Sequence, residues 1–279
     1  MISRRRILFD IVEIIIQIGD AGFKVIADTG QLIAFIGETV YELYKALCHP
    51  KRIRKKETLY YMNLCGANAF PISVMICLLM GLILGYQSAV QMHKYGADTF
   101  LPALVGCSVV RELGPMMVAV IAAGRAGSAF AAEIATMKSS EEINAMITMG
   151  FSPWRFLVIP KLISMICMMP LITFFGDIFG IIGGMLVGTI ELQMPLHAYY
   201  LQTVHWVPPR FFVESIVKSV VFAVIITGIC CMRGFNAEQD SLGVGKATTS
   251  SVVTSIISII VADTLMARVF NMIFYGAPV

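Results

Sequence analysis

Apolar residues fill five long blocks of this chain, separated by short polar loops. The blocks run from Ala69 to Met92, Phe100 to about Ala132, Trp154 to Ile190, Phe211 to Met232 and Ser250 to Phe274. A hydrocarbon core about 30 Å thick takes about 20 mainly apolar residues per helix, so each block predicts a membrane crossing. The third is longer than one crossing needs. Pro170 and the Gly183–Gly184 pair predict a kink or tilt there, or a division into two short helices. Residues 7 to about 47 follow another pattern: Asp10, Glu13, Gln17, Asp20, Lys24, Asp28 and Gln31 recur at steps of three and four. That spacing draws a polar stripe down one helix face. The helix is suited to lying in the membrane interface or packing against the spans. The expected fold class is an all-α membrane protein, with an amphipathic N-terminal interfacial helix followed by five transmembrane helices. Residues 1–57 form the cytoplasmic start and interfacial helix, and residues 58–279 the transmembrane domain.

Composition narrows the class further. Of 279 residues, 57% are hydrophobic and 14% charged, against roughly 25% charged in soluble domains, so a soluble enzyme is excluded. A net charge of +3 without a basic stripe points away from nucleic acid. The seven cysteines sit mostly inside apolar runs (Cys77, Cys107, Cys167, Cys230, Cys231) and read as small buried hydrophobes. The histidines His49, His93, His197 and His205 are scattered, and no metal site is expected. Lys and Arg gather at Arg4–Arg6, at 51–56, at Lys138, Arg155 and Lys161, and at Arg233 and Lys246, while the alternate loops carry only Lys94 and Arg210. Positive residues accumulate on the cytoplasmic side, so the N-terminus is expected inside and the C-terminus outside. The run Ser3–Leu8 looks like a twin-arginine signal, but Asp10 and Glu13 would break its apolar core.

Between the second and third spans, Ser139 and Glu142 have the spacing of a capping box. Gly150 in the left-handed conformation and Pro153 then end a short helix over 140–149. Its apolar positions Ile143, Met146, Ile147 and Met149 make it a handle for a cytoplasmic partner or a plain surface-lying helix. The second span holds Arg111 and Glu112, then Gly114–Pro115, which loosens the helix. Ionisable groups in a membrane usually face a protein interior or a water-filled cavity. Adjacent residues point about 100° apart, so Arg111 and Glu112 are expected to find separate partners. Gly114, Pro115, Gly124, Arg125 and Gly127 are expected at helix contacts, where small residues allow close approach. Glu214 and Lys218 are spaced to pair on one face. Catalytic signatures are lacking. Gly243–Val244–Gly245–Lys246 misses a Walker sequence at Asp240 and Ala247, so any ATP hydrolysis belongs to another chain.

The run Arg111–Glu112–Leu113–Gly114–Pro115, then Ala123–Gly124–Arg125–Ala126–Gly127–Ser128–Ala129 and Ala132–Glu133–Ile134, resembles the MlaE (YrbE) permease family of ABC transporters. So do Met137–Lys138 through Glu141–Glu142–Ile143 to Met149–Gly150–Phe151–Ser152–Pro153, Val158–Ile159–Pro160–Lys161, Lys218–Ser219–Val220–Val221–Phe222 and Gly243 to Thr249. The resemblance implies a homodimeric inner-membrane permease, with two cytoplasmic ATPase subunits that bind ATP and Mg and a periplasmic ring of Mce-domain proteins. Its substrate would be phospholipid moved between the inner and outer membranes. The chain itself would carry no cofactor. The resemblance also implies that Ser139, Glu141, Glu142, Ala145, Met146, Met149 and Gly150 belong to the coupling helix, about residues 139–150. Asn144 stands where the wider importer consensus has glutamate. Leu84, Gln91, Met92 and Tyr95, with Glu112 and Arg111, would line an outward-opening lipid pocket. In that pocket Arg111 or Arg125 would position a phosphate or a partner carboxylate. A proton- or ion-coupled secondary transporter using Arg111, Glu112, Asp177 and Asp263 is the alternative, although five spans do not divide into matched halves.

Overall fold

The structure, a computed structural model, describes residues 54–275 and the isolated positions Gly30 and Gly37. The amphipathic stripe over residues 7 to about 47 therefore lies outside the described residues. All regular structure among the described residues is helical. A short helix α1 (Lys55–Cys65) leads into α2 (Phe70–Tyr95), the first long span. α2 starts on Pro71, where a missing N–H is harmless, and stops at Gly96 in the left-handed conformation (φ 65°). The second span is one long rod built from α3 (Leu101–Ser108), α4 (Gly114–Ala122) and α5 (Ser128–Ser139). Two π-helical turns, Val109–Leu113 and Ala123–Gly127, join its segments. A short helix α6 (Glu142–Thr148) follows, then α7 (Ile159–Ile190), α8 (Leu196–Trp206), α9 (Pro209–Phe235) and α10 (Ser241–Tyr275). Five of these rods are long and apolar enough to cross a membrane, in agreement with the five apolar blocks.

The third block is a single helix, not two. α7 runs for 32 residues through Pro170, about 48 Å at 1.5 Å per residue. Gly183 and Gly184 act as close-contact points instead of a break. A Cβ on Gly183 would lie 2.3 Å from the Leu78 carbonyl oxygen, and one on Gly81 would lie 1.9 Å from the Gly180 oxygen. α2 and α7 thus touch almost backbone to backbone, the most extensive helix pair among the described residues. Inside a bilayer such contact replaces the missing hydrophobic drive, since lipid tails are as apolar as leucine. The central core joins Cys77, Val118, Phe130, Met165, Ile172, Phe222 and Ile259 from the five spans.

The chain order places α1, α6 and residues 236–240 at one end of the bundle, and residues 96–100 and α8 at the other. α8 stands where a loop was expected. It buries Tyr199 and Thr203, and Tyr199 packs so that a Cβ on Gly188 would collide with its ring and one on Gly184 would crowd its hydroxyl. Its other residues include exposed Leu196, Tyr200, Leu201, Val204 and Trp206, an amphipathic and aromatic surface of the kind found at membrane interfaces.

Candidate functional site

The π turn Val109–Leu113 places Arg111 and Glu112 within the bundle, and the proline after it decides what happens next. Pro115 has no N–H to give the Arg111 carbonyl one turn back. That carbonyl accepts instead from Lys218 Nζ on α9, at 2.8 Å. The same ammonium, wholly buried, donates to Glu112 Oε2 at 2.6 Å and stands 3.0 Å from Asp263 Oδ1 of α10. Arg111 donates through Nε to Glu214 Oε2 (3.2 Å) and through Nη2 to Asn271 Oδ1 (2.7 Å). It also faces the Phe211 ring, 5.0 Å away. Spans two, four and five are therefore tied by charges in the half of the bundle nearer α8. A buried ion pair is tolerated when each charge is matched and hydrogen-bonded, and Lys218 meets two carboxylates and one carbonyl.

Two expectations are corrected or refined here. Glu214 and Lys218 do not pair with each other, although four residues apart on α9. Glu214 turns to Arg111 at 3.2 Å, and Lys218 to Glu112 and Asp263 at 2.6 and 3.0 Å, all three partners coming from other spans. Arg111 and Glu112 do take separate partners. Asp177 of α7, fully buried, accepts from Ser215 Oγ at 2.7 Å. Gly114 is what admits it, since a Cβ on Gly114 would sit 1.8 Å from Asp177 Oδ1.

A second buried charge lies nearer the α6 end. Lys161 of α7 meets Glu133 Oε1 of α5 at 3.2 Å and donates to the Tyr61 hydroxyl of α1 at 3.1 Å. Tyr61 in turn donates to Glu133 Oε1 at 2.5 Å. The ammonium lies 4.6 Å from the Tyr61 ring centroid and 5.8 Å from that of Phe130, a desolvated cation–π arrangement.

The capping box is not formed. α5 continues to Ser139, whose hydroxyl donates to the Gln239 carbonyl at 3.3 Å, and α6 covers Glu142–Thr148 rather than 140–149. The reversal falls on Glu141, which adopts φ 60°. Its carboxylate accepts from Asn144 and from Gln239 Nε2, the latter at 2.8 Å. Ser139 is thus held by the last turn of the preceding helix and by the facing loop. Gly150 ends the element as expected, at φ 78°. Ile143 and partly buried Met146 pack on Ile134, Leu157, Val158, Trp154 and Phe235, the ends of spans two, three and four. Ala145, Ile147, Met149 and Phe151 remain exposed, as do Glu141 and Glu142. One side of α6 is therefore anchored to the spans, and the other presents apolar side chains outward.

A conserved-family profile described as permease MlaE matches residues 58–269. The chain belongs to the MlaE permease family. It is 37% identical over 205 residues to a probable ABC transporter permease of Rickettsia felis, covering 74% of this chain and 79% of that protein. A probable ABC transporter permease of Synechocystis is 33% identical over 217 residues, covering 77% and 82%. The intermembrane phospholipid transport system permease MlaE of Haemophilus influenzae is 30% identical over 239 residues, covering 84% and 91%.

Within this MlaE-family permease the expected pocket residues are spread along α2. Leu84 packs against the cluster of Val105, Val109 and Val187, next to the Arg111 turn, while Gln91 and Tyr95 are exposed and Met92 is half-buried. Of the expected packing residues, Gly114, Pro115 and Gly127 are buried, and a Cβ on Gly127 would meet Cys230 Sγ at 2.7 Å. Gly124 and Arg125 make no such contact within this chain: both are exposed and a Cβ on Gly124 would meet nothing within 4 Å. Ala123, Ala126 and Gly127 take the inward side of that π turn, which leaves the two residues between them on the open side. Asn271, Tyr61 and Glu133 had not been singled out for their contacts. Ser251, Ser255, Ile259 and Asp263 recur every four residues on α10 and are buried, but Asn271, eight residues after Asp263, lies about 80° further round the helix, so that spacing gives no signal for it.

Proposed function

We propose that this chain is the membrane subunit of an ATP-driven ABC transporter that moves phospholipid between the inner and outer membranes. In this reading it works as a homodimer in the inner membrane, with the N-terminus and α6 on the cytoplasmic side. The naming of the Haemophilus influenzae relative as a phospholipid transport permease supports the substrate class. The observation that carries the mechanism is the two-sided build of α6, anchored inward by Ile143 and Met146 and apolar outward at Ile147, Met149 and Phe151. Two ATPase subunits, which hold ATP and Mg, grip the outward side. Their closure pushes α6 against Ile134, Leu157 and Phe235 and so shifts the ends of three spans together. Packed helices respond to such a push by sliding or tilting as rigid bodies.

The substrate cleft lies along Leu84, Gln91, Met92 and Tyr95, with Glu112 and Arg111 at its polar end. Apolar walls hold acyl chains and a few polar groups fix the head. Glu112, whose side chain is 37% exposed while bound to Lys218, is the member of the ion network able to reach a substrate. Mce-domain proteins would receive or deliver lipid at the α8 end. Reconstitution in liposomes tests the whole. Labelled phospholipid should move only when the ATPase chain and ATP are present, and Ile147→Asp should abolish ATPase co-purification. Transport by this chain alone would favour the secondary-carrier reading and overturn this one.

A further inference from the structure

At the α8 end of the bundle a cavity of about 480 Å³ lies between the last turns of α2 and α7, lined by Tyr86, Ala89, Val90, His93, Glu191 and Leu192. Its size is within the roughly 300–1,000 Å³ of small-ligand sites. The glycines explain why it is there. Gly81 meets Gly180 and Gly85 meets Val187 so closely that no side chain fits between. Beyond Gly85 the α2 side of the contact is lined by larger residues, Tyr86, Val90 and His93, and the groove between the helices widens over the buried Ala89. Tyr86 and His93 are seven residues apart, about 10 Å along the helix. The cavity is thus graded, with an aromatic and aliphatic lower part and a polar mouth.

The charges at the mouth are specific in sign. The carboxylate of Glu191 makes no hydrogen bond or ion pair with the described residues. His93 Nδ1 faces Asp98 Oδ2 at 3.3 Å, which leaves Nε2 as its remaining polar atom. One unmatched carboxylate, an exposed phenol ring at Tyr86 and an imidazole nitrogen complement an ammonium group carried next to a phosphate. An ammonium is drawn to a carboxylate and to an aromatic face. With Nδ1–H given to Asp98, Nε2 is an acceptor and joins Glu191 in receiving the ammonium, and the first methylenes of an attached chain can lie along Val90 and Leu192.

We infer that the cleft formed by Tyr86, Val90, His93 and Glu191 binds the headgroup of an ammonium-bearing phospholipid of the ethanolamine type. This rests on the phospholipid-permease reading and adds to its transport cleft a second site, at the α8 end, that reads the headgroup. The site is separate from the Arg111–Glu112 network, so it selects lipid without touching the ions that tie the spans.

The test uses the full chain with its ATPase partner in nanodiscs holding equal amounts of phosphatidylethanolamine and phosphatidylglycerol, followed by mass spectrometry of the lipid retained on release. The unaltered protein should retain the ethanolamine lipid over the glycerol lipid by about tenfold. Glu191→Gln should bring that ratio close to one while total retained lipid stays the same, and Tyr86→Leu should lower it partway. Thermal unfolding of both variants should match the parent, because both side chains are exposed. An unaltered ratio in Glu191→Gln, or no preference in the parent, overturns the headgroup site and leaves the permease reading standing. Loss of a periplasmic protein partner from Glu191→Gln with the lipid ratio unchanged would also overturn it, in favour of a protein contact. Absence of any retained phospholipid in the parent would overturn both.

Discussion

At Lys218 two carboxylates and a backbone carbonyl converge on one buried ammonium. Lys218→Met would leave Glu112 and Asp263 facing each other without a cation. Removing one partner of a buried pair costs about 3–5 kcal/mol, so the melting temperature in detergent should fall sharply. Glu112→Gln should fall less, since Asp263 still balances the lysine. Gly114 gives a contrasting case in which no charge is altered. Gly114→Ala would drive a methyl group into Asp177 Oδ1, itself held by Ser215, and should abolish recovery of monodisperse protein. Gly124→Ala, into open space, should leave recovery unchanged. Both glycines stand out equally in the sequence. Only their surroundings separate them: one faces a carboxylate of another helix and the other faces outward.

Among the elements, α6 and the Lys161 contact make the connection between the α6 end and the spans. Ile143 is buried between α6 and the span ends, so Ile143→Ala should cost about 2–4 kcal/mol by loss of buried methyl groups, read as a lower unfolding temperature. Met149→Ser, on the exposed side, should leave unfolding unchanged and weaken ATPase binding in pull-downs. Lys161 joins α1, α5 and α7 through Tyr61 and Glu133. Lys161→Met should lower the unfolding temperature less than Lys218→Met, because Glu133, with a side chain 38% exposed, keeps solvent and the Tyr61 hydroxyl; thermal unfolding of the two variants compares them. The short helix between spans two and three was legible from Gly150 and Pro153, which act locally. Its start was not. Ser139 and Glu142 carry the right residue types for a cap, but Gln239 from a distant loop competes for the Ser139 hydroxyl. Similarly, α8 was hidden because its packing surface, Tyr199 against Gly184 and Gly188, comes from another helix.

At the scale of the whole molecule, five crossings place the α6 and α8 ends on opposite faces of a membrane. Cysteines placed one at a time at Thr148 and Tyr200, in a chain whose Cys48, Cys107 and Cys167 have been replaced by serine, should label from opposite sides of sealed vesicles. Labelling from the same side would overturn the arrangement. The sequence by itself determined the number of spans, the all-helical class and the family. These rest on properties each segment carries alone: length, apolarity, and long motifs of fixed order. It also placed the ionisable residues of the second span inside the membrane. Which residue answers which was decided by tertiary structure only. Glu214 and Lys218 sit at a spacing that allows pairing, yet each turns to a different residue of the second span. The physical reason is that electrostatic and packing energies depend on distances between helices, and a one-dimensional spacing rule describes only the distances within one helix.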